Sequence, residues 1–149
     1  MKEHIVILDG VDKTGKDTIK DCLVRLSNGK ILVIVRSFIS QIVYSRIYKR
    51  NINESFFIEK MRNLYHDGNY TFFYLTARKD ELIKRFKKNN EQDLDIKHID
   101  KHFKAFNDVL NKIDDGGVYI NHIDTTDKTP DDTARDIIGS NKYNYRINC

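Results

Sequence analysis

The chain has 149 residues, 40% of them hydrophobic and 32% charged, which suits one domain around one core and excludes a disordered polyelectrolyte. No apolar run approaches the length that crosses a bilayer, so no membrane partner is expected. The net charge of +4 is modest and fits ordinary solvation by a lysine-rich surface rather than a dedicated polyanion strip.

Met1-Lys2-Glu3-His4 runs directly into an apolar strand, so no secretory leader is expected. Ile5-Val6-Ile7-Leu8 is a short continuous apolar run, the pattern of a strand buried on both faces. A helix is predicted from Gly15 to Leu26, with Ile19, Leu23 and Leu26 on one face, and Ser27-Asn28-Gly29 stops it. Ile31-Leu32-Val33-Ile34-Val35 reads as a second buried strand. Ile39 to Lys49 and Ser55 to Tyr65 read as helices, with Asn51-Ile52-Asn53 between them and Asp67-Gly68-Asn69 as the following turn.

Tyr70 to Thr76 is rich in aromatic and β-branched residues and predicts a third strand. Its tyrosines and phenylalanines are expected in the core rather than on a base-stacking platform. Lys79 to Lys88 is helical through Leu82, Ile83 and Phe86, and Asn89 to Asp95 is a polar break. Ile99, Phe103, Phe106, Leu110 and Ile113 repeat at helical spacing and predict a long amphipathic helix. Val118 to Ile123 is a fourth strand. Thr129-Pro130-Asp131-Asp132 has the chemistry of a helix start, and Gly139 to Cys149 is a polar tail. Strands alternating with helices predict a three-layer α/β fold: a small, mostly parallel sheet of about four strands, flanked by helices, in one domain over 1–149.

Gly10-Val11-Asp12-Lys13-Thr14-Gly15-Lys16 has the glycine spacing and the lysine of a phosphate-binding P-loop. Gly10 lets the backbone leave the strand sharply, and Gly15 lets amide N–H groups approach phosphate oxygens. The helix behind the loop directs its positive end at the anion. Lys16 is expected to reach the β- and γ-phosphates of ATP. The next position normally carries Ser or Thr for Mg²⁺, and here it is Asp17, followed by Thr18. Both are candidate metal ligands. Asp17 also brings a like charge beside the phosphates, so altered nucleotide binding is an open alternative.

From Ile5 to Lys16 the chain resembles the opening of thymidylate kinases, including the acidic Asp9 before the first glycine and Asp12 inside the loop. Lys13 stands where some members place a basic residue that assists phosphoryl transfer. Gly29 to Ser40 is similar to the family's strand ending in Asp-Arg-Tyr, with Arg36 and Ser40 matching and Val35 and Ser37 departing from it. Phe57 to Leu75 resembles the helix and strand before the lid. Arg78 to Phe106 resembles the lid and the helix behind it, with Arg85, Lys87 and Lys88 as the basic lid residues. Ile123 to Ile138 resembles the last strand, the adenine-contacting loop and the final helix. One block is missing: Ser27-Asn28-Gly29 replaces an edge strand, a helix and an Arg-Glu-Pro stretch, which leaves the acceptor side open.

The resemblance implies an ATP- and Mg²⁺-dependent kinase acting on a dTMP-like nucleoside monophosphate. Lys16, Lys13, Arg36, Asp9 and Asp12 are then the catalytic candidates. Gly10, Gly15, Lys16, Asp17, Thr18, Arg85 and Lys88 are the cofactor-binding ones, with Asp17 and Thr18 at the metal. Two other readings stay open: a degenerate member that binds nucleotide without catalysis, and a kinase whose acceptor is a nucleic-acid end or a modified base. Family members pair through helices matching Ile39–Lys49 and Ser55–Tyr65, so a homodimer is an expectation of the resemblance alone. Cys22 and Cys149 have no metal-ligand spacing and are expected to be free thiols in a reducing, cytoplasmic setting. His98 and His102, four apart, lack the carboxylate partners of a metal site.

Overall fold

A computed structural model describes residues 4–11, 14–88 and 98–140. Asp12, Lys13, the polar break from Asn89 to Asp95, and the tail from 141 to Cys149 lie outside the described residues. The elements are β1 (His4–Gly10), α1 (Lys16–Leu26), β2 (Ile31–Val35), α2 (Phe38–Ile47), α3 (Glu54–Asp67), β3 (Tyr70–Thr76), α4 (Lys79–Lys88), α5 (Ile99–Asp115), β4 (Ile120–Asp124) and α6 (Pro130–Ile138). Among the described residues, none of these helices is long and apolar enough to cross a membrane.

The four strands form one parallel sheet in the order β2-β1-β3-β4. Parallel neighbours require crossover connections, and the intervening helices supply them on both faces. On one face Val6, Leu8, Val33, Phe73 and Leu75 pack under α1 and α6. On the other, Ile7, Phe72, Tyr74 and Ile120 pack under α2, α3, α4 and α5. The two central strands, β1 and β3, carry the expected near-continuous burial. Tyr74 is core, as its strand position predicts.

The reading of β2 as buried on both faces needs correction. Its residues alternate, with Ile31 and Val33 buried while Leu32 and Ile34 are 47% and 44% exposed. β2 is the sheet edge. Leu32 and Ile34 register with Ile5 and Ile7 of β1, on the α2 face, and among the described residues no further strand pairs outside β2. The fourth strand is also shorter than expected: Val118 and Tyr119 precede it.

The topology selects the site. The chain leaves β1 for α1 on one face and leaves β3 for α4 on the other. Adjacent strands whose connections diverge in this way open a crevice at their carboxyl ends, where ligands of α/β sheets bind.

Candidate active site: a phosphate loop between two clefts

Gly10 ends β1 and pairs with Leu75 of β3. A side chain at Gly10 would place its Cβ 2.1 Å from the Leu75 carbonyl oxygen, well inside any tolerable contact, so glycine is required for the strands to stay paired where the loop departs. Gly15 adopts a left-handed conformation (φ 81) as the N-cap of α1. Having no side chain, it cannot cap the helix. The first-turn N–H groups of α1, the positive end of its dipole, therefore face the loop interior available to an anion.

Lys16 is buried. Its ammonium donates to the carbonyl oxygens of Gly10 at 3.0 Å and Val11 at 2.9 Å, with Thr14 Oγ1 at 3.5 Å. Thr14 Oγ1 in turn donates to the Val11 carbonyl at 2.9 Å. The Lys16 cation is thus desolvated against two carbonyl oxygens and a hydroxyl at the end of β1. Asp17 and Thr18 stand exposed on the first turn of α1, beside that loop.

Asp9, the residue before Gly10, is fully buried. Its Oδ1 accepts from the Ser40 hydroxyl at 2.6 Å, the Ser40 amide at 3.1 Å and the Ser37 amide at 3.0 Å. It thus binds the N-terminal turn of α2, where no side chain of that helix's own N-cap does so. Burial pushes the Asp9 carboxyl above the ordinary range, and the Ser40 hydroxyl, the two amides and the Lys16 charge pull against it. Its Oδ2 is buried without a hydrogen-bond partner among the described residues. Asp9 thereby ties the end of β1 to the first turn of α2.

Arg36 follows β2 in a left-handed conformation (φ 62), and its amide donates to the Leu8 carbonyl at 3.0 Å. This places it at the carboxyl end of the sheet beside the loop. Arg36, Val11 and Phe86 line a cleft of about 380 Å³ together with Tyr44, Tyr48, Arg50, His98 and His102. No carboxylate is among the described residues lining it. His98 and His102, which lack the carboxylate partners of a metal site in the sequence, form part of its wall: their rings stack at 6.4 Å, and His102 meets Tyr44 edge-on at 5.8 Å. Tyr44, Tyr48 and Arg50 carry no motif, and the signal that could have found them is the spacing of Ser40, Tyr44 and Tyr48 along one helical face.

A second cleft, of about 270 Å³, lies on the other side of the loop. Thr14, Gly15 and Ile19 form one wall, and Arg85, Thr125 and Lys128 form the other. Its far wall is built by two connected turns. The Thr125 amide donates to the Thr76 carbonyl at 2.7 Å, and the Arg78 amide donates to Thr126 Oγ1 at 2.8 Å. Asp124 accepts from the Thr126 hydroxyl and amide, which holds its carboxyl below the ordinary range.

Arg85 is fixed into that wall. Its guanidinium donates to the Thr125 carbonyl at 3.0 Å, the Thr125 hydroxyl at 3.3 Å and Glu81 at 3.2 Å. Lys87 and Lys88 are exposed at the end of α4, and neither lines this cleft or the first one.

Of the residues expected at a phosphoryl-transfer site, Gly10, Gly15, Lys16, Asp17 and Thr18 lie at the loop and the first turn of α1, while Arg36 lines the first cleft and Arg85 the second, on either side of that loop. Asp9 supports it from behind, and Lys88 stands apart. Among the described residues, no group of three or more His, Cys, Asp or Glu side chains is arranged to enclose a metal ion. Mg²⁺ fits this site in its usual nucleotide-borne form, keeping most of its waters and taking one or two protein oxygens besides the phosphates. Asp17 and Thr18, exposed on the first turn of α1, are the residues that would supply those oxygens.

A model of the thymidylate kinase family matches residues 22–137, well over half of the chain. The match begins inside α1, after the phosphate loop, so the loop and the match are separate observations. No curated protein matches the sequence. Among solved structures, the crystal structure of the YorR protein from Bacillus subtilis in complex with phosphorylated GDP superposes with a TM-score of 0.79 at 19% identity, covering 95% of this chain and 98% of that one.

Proposed function

The chain belongs to the thymidylate kinase family, and on that premise we propose that it works as a single-domain nucleotide kinase, moving the γ-phosphoryl group of ATP onto a dTMP-like nucleoside monophosphate. The observation that carries this reading is the convergence of the Lys16 loop and Arg36 on one crevice, with a separate cleft on each side of it. Two nucleotides need two clefts, and their phosphates need to meet between them.

The donor base takes the cleft walled by Arg85 and Thr125, and its phosphates lie in the loop against the Lys16 ammonium and the first turn of α1. The acceptor takes the cleft lined by Arg36, Tyr44 and Phe86. A non-bridging oxygen of the acceptor phosphate forms the new bond to γ-phosphorus. The bond from γ-phosphorus to the β–γ bridging oxygen breaks, and that oxygen leaves on ADP. Such transfers need little covalent help, so positioning and charge neutralisation by Lys16 and Arg36 are the protein's contribution. Mg²⁺, held on the nucleotide by Asp17 and Thr18, supplies further neutralisation of the phosphate oxygens when bound. The nucleotide named with YorR makes GTP the second donor to try.

Asp17 favours a second reading, in which nucleotide binds weakly and is not turned over, because its carboxylate stands beside the phosphates. Incubation with ATP or GTP, Mg²⁺ and each deoxynucleoside monophosphate, followed by chromatography, separates the two. A nucleoside diphosphate made from the acceptor supports the kinase. Absence of product from every acceptor, with tighter ATP binding in Asp17→Thr, supports the non-catalytic reading.

A further inference from the structure

We propose that the acceptor cleft has a second anion anchor at Arg50, so that its preferred ligand carries a phosphate beyond the one facing the loop. The inference rests on the reading of this cleft as the acceptor site. Arg36 precedes α2 and Arg50 follows it. The ten residues of α2 rise about 1.5 Å each, so its ends stand roughly 15 Å apart. Both arginines nevertheless line the same cleft. They also line a smaller recess of about 190 Å³ with Ser40, Gln41 and Tyr44.

The end of α2 explains how. Lys49 adopts a left-handed conformation (φ 54), and the Arg50 amide donates back to the Ser45 carbonyl at 2.7 Å. This is the hydrogen bond of a Schellman turn, made here without the usual glycine. A lysine in that conformation is disfavoured. The turn brings Arg50 back along the helix instead of away from it. Its guanidinium then lies over the Tyr48 ring, 5.4 Å from the centroid, which holds the cation at the cleft wall.

One arginine beside the loop suffices for the reacting phosphate. The second, displaced along α2 and oriented by an aromatic face, suits a separate phosphate, since a guanidinium matches phosphate oxygens in pairs. A nucleoside 3′,5′-bisphosphate and the 5′-phosphorylated end of a strand share this chemistry.

Calorimetric titration of the full chain with dTMP, thymidine 3′,5′-bisphosphate and the 5′-phosphorylated dinucleotide pTpT tests the proposal. The bisphosphate is expected to bind roughly tenfold tighter than dTMP, the gain of one good charged contact. Arg50→Gln is expected to remove that advantage, so that the bisphosphate and dTMP bind within about twofold of one another. Arg50 is exposed, and thermal unfolding of the variant verifies that it folds. A matching gain for pTpT identifies a strand end as an accepted source, and a gain for the bisphosphate alone identifies a free nucleotide. Equal binding of dTMP and the bisphosphate, or an equal loss for both in Arg50→Gln, overturns the second anchor while leaving the acceptor site standing. Absence of binding by all three overturns the acceptor reading itself and the anchor with it.

Discussion

The Ser40 hydroxyl and the Asp9 carboxylate meet at 2.6 Å, a contact that joins the strand launching the phosphate loop to the helix that follows Arg36. With the Ser37 and Ser40 amides, which donate to the same oxygen, it ties the end of β1 to the first turn of α2.

That buried carboxylate has a pH signature. Burial raises its folded-state pKa above the ordinary value of 3.8, so the folded chain holds this proton more tightly than the unfolded one. The stability Asp9 contributes is fully present below pH 3.8 and is lost as pH rises through the folded-state value. Asp9→Asn does not titrate. Thermal unfolding of both proteins between about pH 3 and pH 7 should show the variant gaining on the wild type as pH rises. A difference that stays flat with pH would contradict the assignment.

On the proposed reading, Lys16 exchanges its carbonyl partners for phosphate oxygens when nucleotide binds. Lys16→Ala removes a charge-assisted contact, and the dissociation constant for ATP should rise roughly 10–100-fold. Titration with a fluorescent ATP analogue measures it. An unchanged affinity would remove the loop from the donor site.

Arg36 separates stability from function. Its left-handed backbone costs an arginine about 1–2 kcal/mol relative to glycine. Arg36→Gly relieves that strain but loosens the unfolded chain, which costs about 0.5–1 kcal/mol. The variant should therefore unfold within about 1 kcal/mol of the wild type. Its KM for the acceptor should rise at least about tenfold while its KM for ATP holds. Equal changes in both would mean that Arg36 serves the fold or the donor.

The loop was legible because local and global signals agree there: an apolar strand, two glycines where backbone approaches backbone, a lysine, then an amphipathic helix. Four parallel strands follow from the same alternation. The exposure of Leu32 and Ile34 was not legible, since an apolar run reads the same at an edge as in the middle, and periodicity says nothing about neighbours. The hydrogen bonds from Arg85 to Thr125 were not legible, since the two residues stand 40 positions apart, beyond any local pattern. Arg50 reaches the cleft wall only through the backward turn at Lys49, an unusual conformation for that residue type.

Glu54 ties three helices together. It accepts two bonds from Arg46, at 2.9 and 2.7 Å, and one from Lys112 at 2.9 Å, joining α2, α3 and α5. Arg46 chiefly, with Lys112, lowers its carboxyl to about 2 from 4.5. A depressed pKa contributes stability above the unfolded value and loses it as pH falls through the folded one. Glu54→Gln should cost about 1 kcal/mol at neutral pH, allowing for solvent screening of a partly exposed cluster. The gap should close as pH drops from 4.5 towards 2. Denaturant unfolding across that range measures it, and a gap independent of pH would show that packing rather than charge holds the three helices.

The central claim is phosphoryl transfer to a nucleoside monophosphate. Its most direct test is acceptor-dependent ADP release from ATP and Mg²⁺, followed continuously with dTMP and the other deoxynucleoside monophosphates. Steady turnover with at least one acceptor, with a nucleoside diphosphate formed in step with ADP and the rate at limiting acceptor falling in Arg36→Gly, is the predicted result. ADP release that is absent, or that proceeds at the same rate without any acceptor, would contradict it.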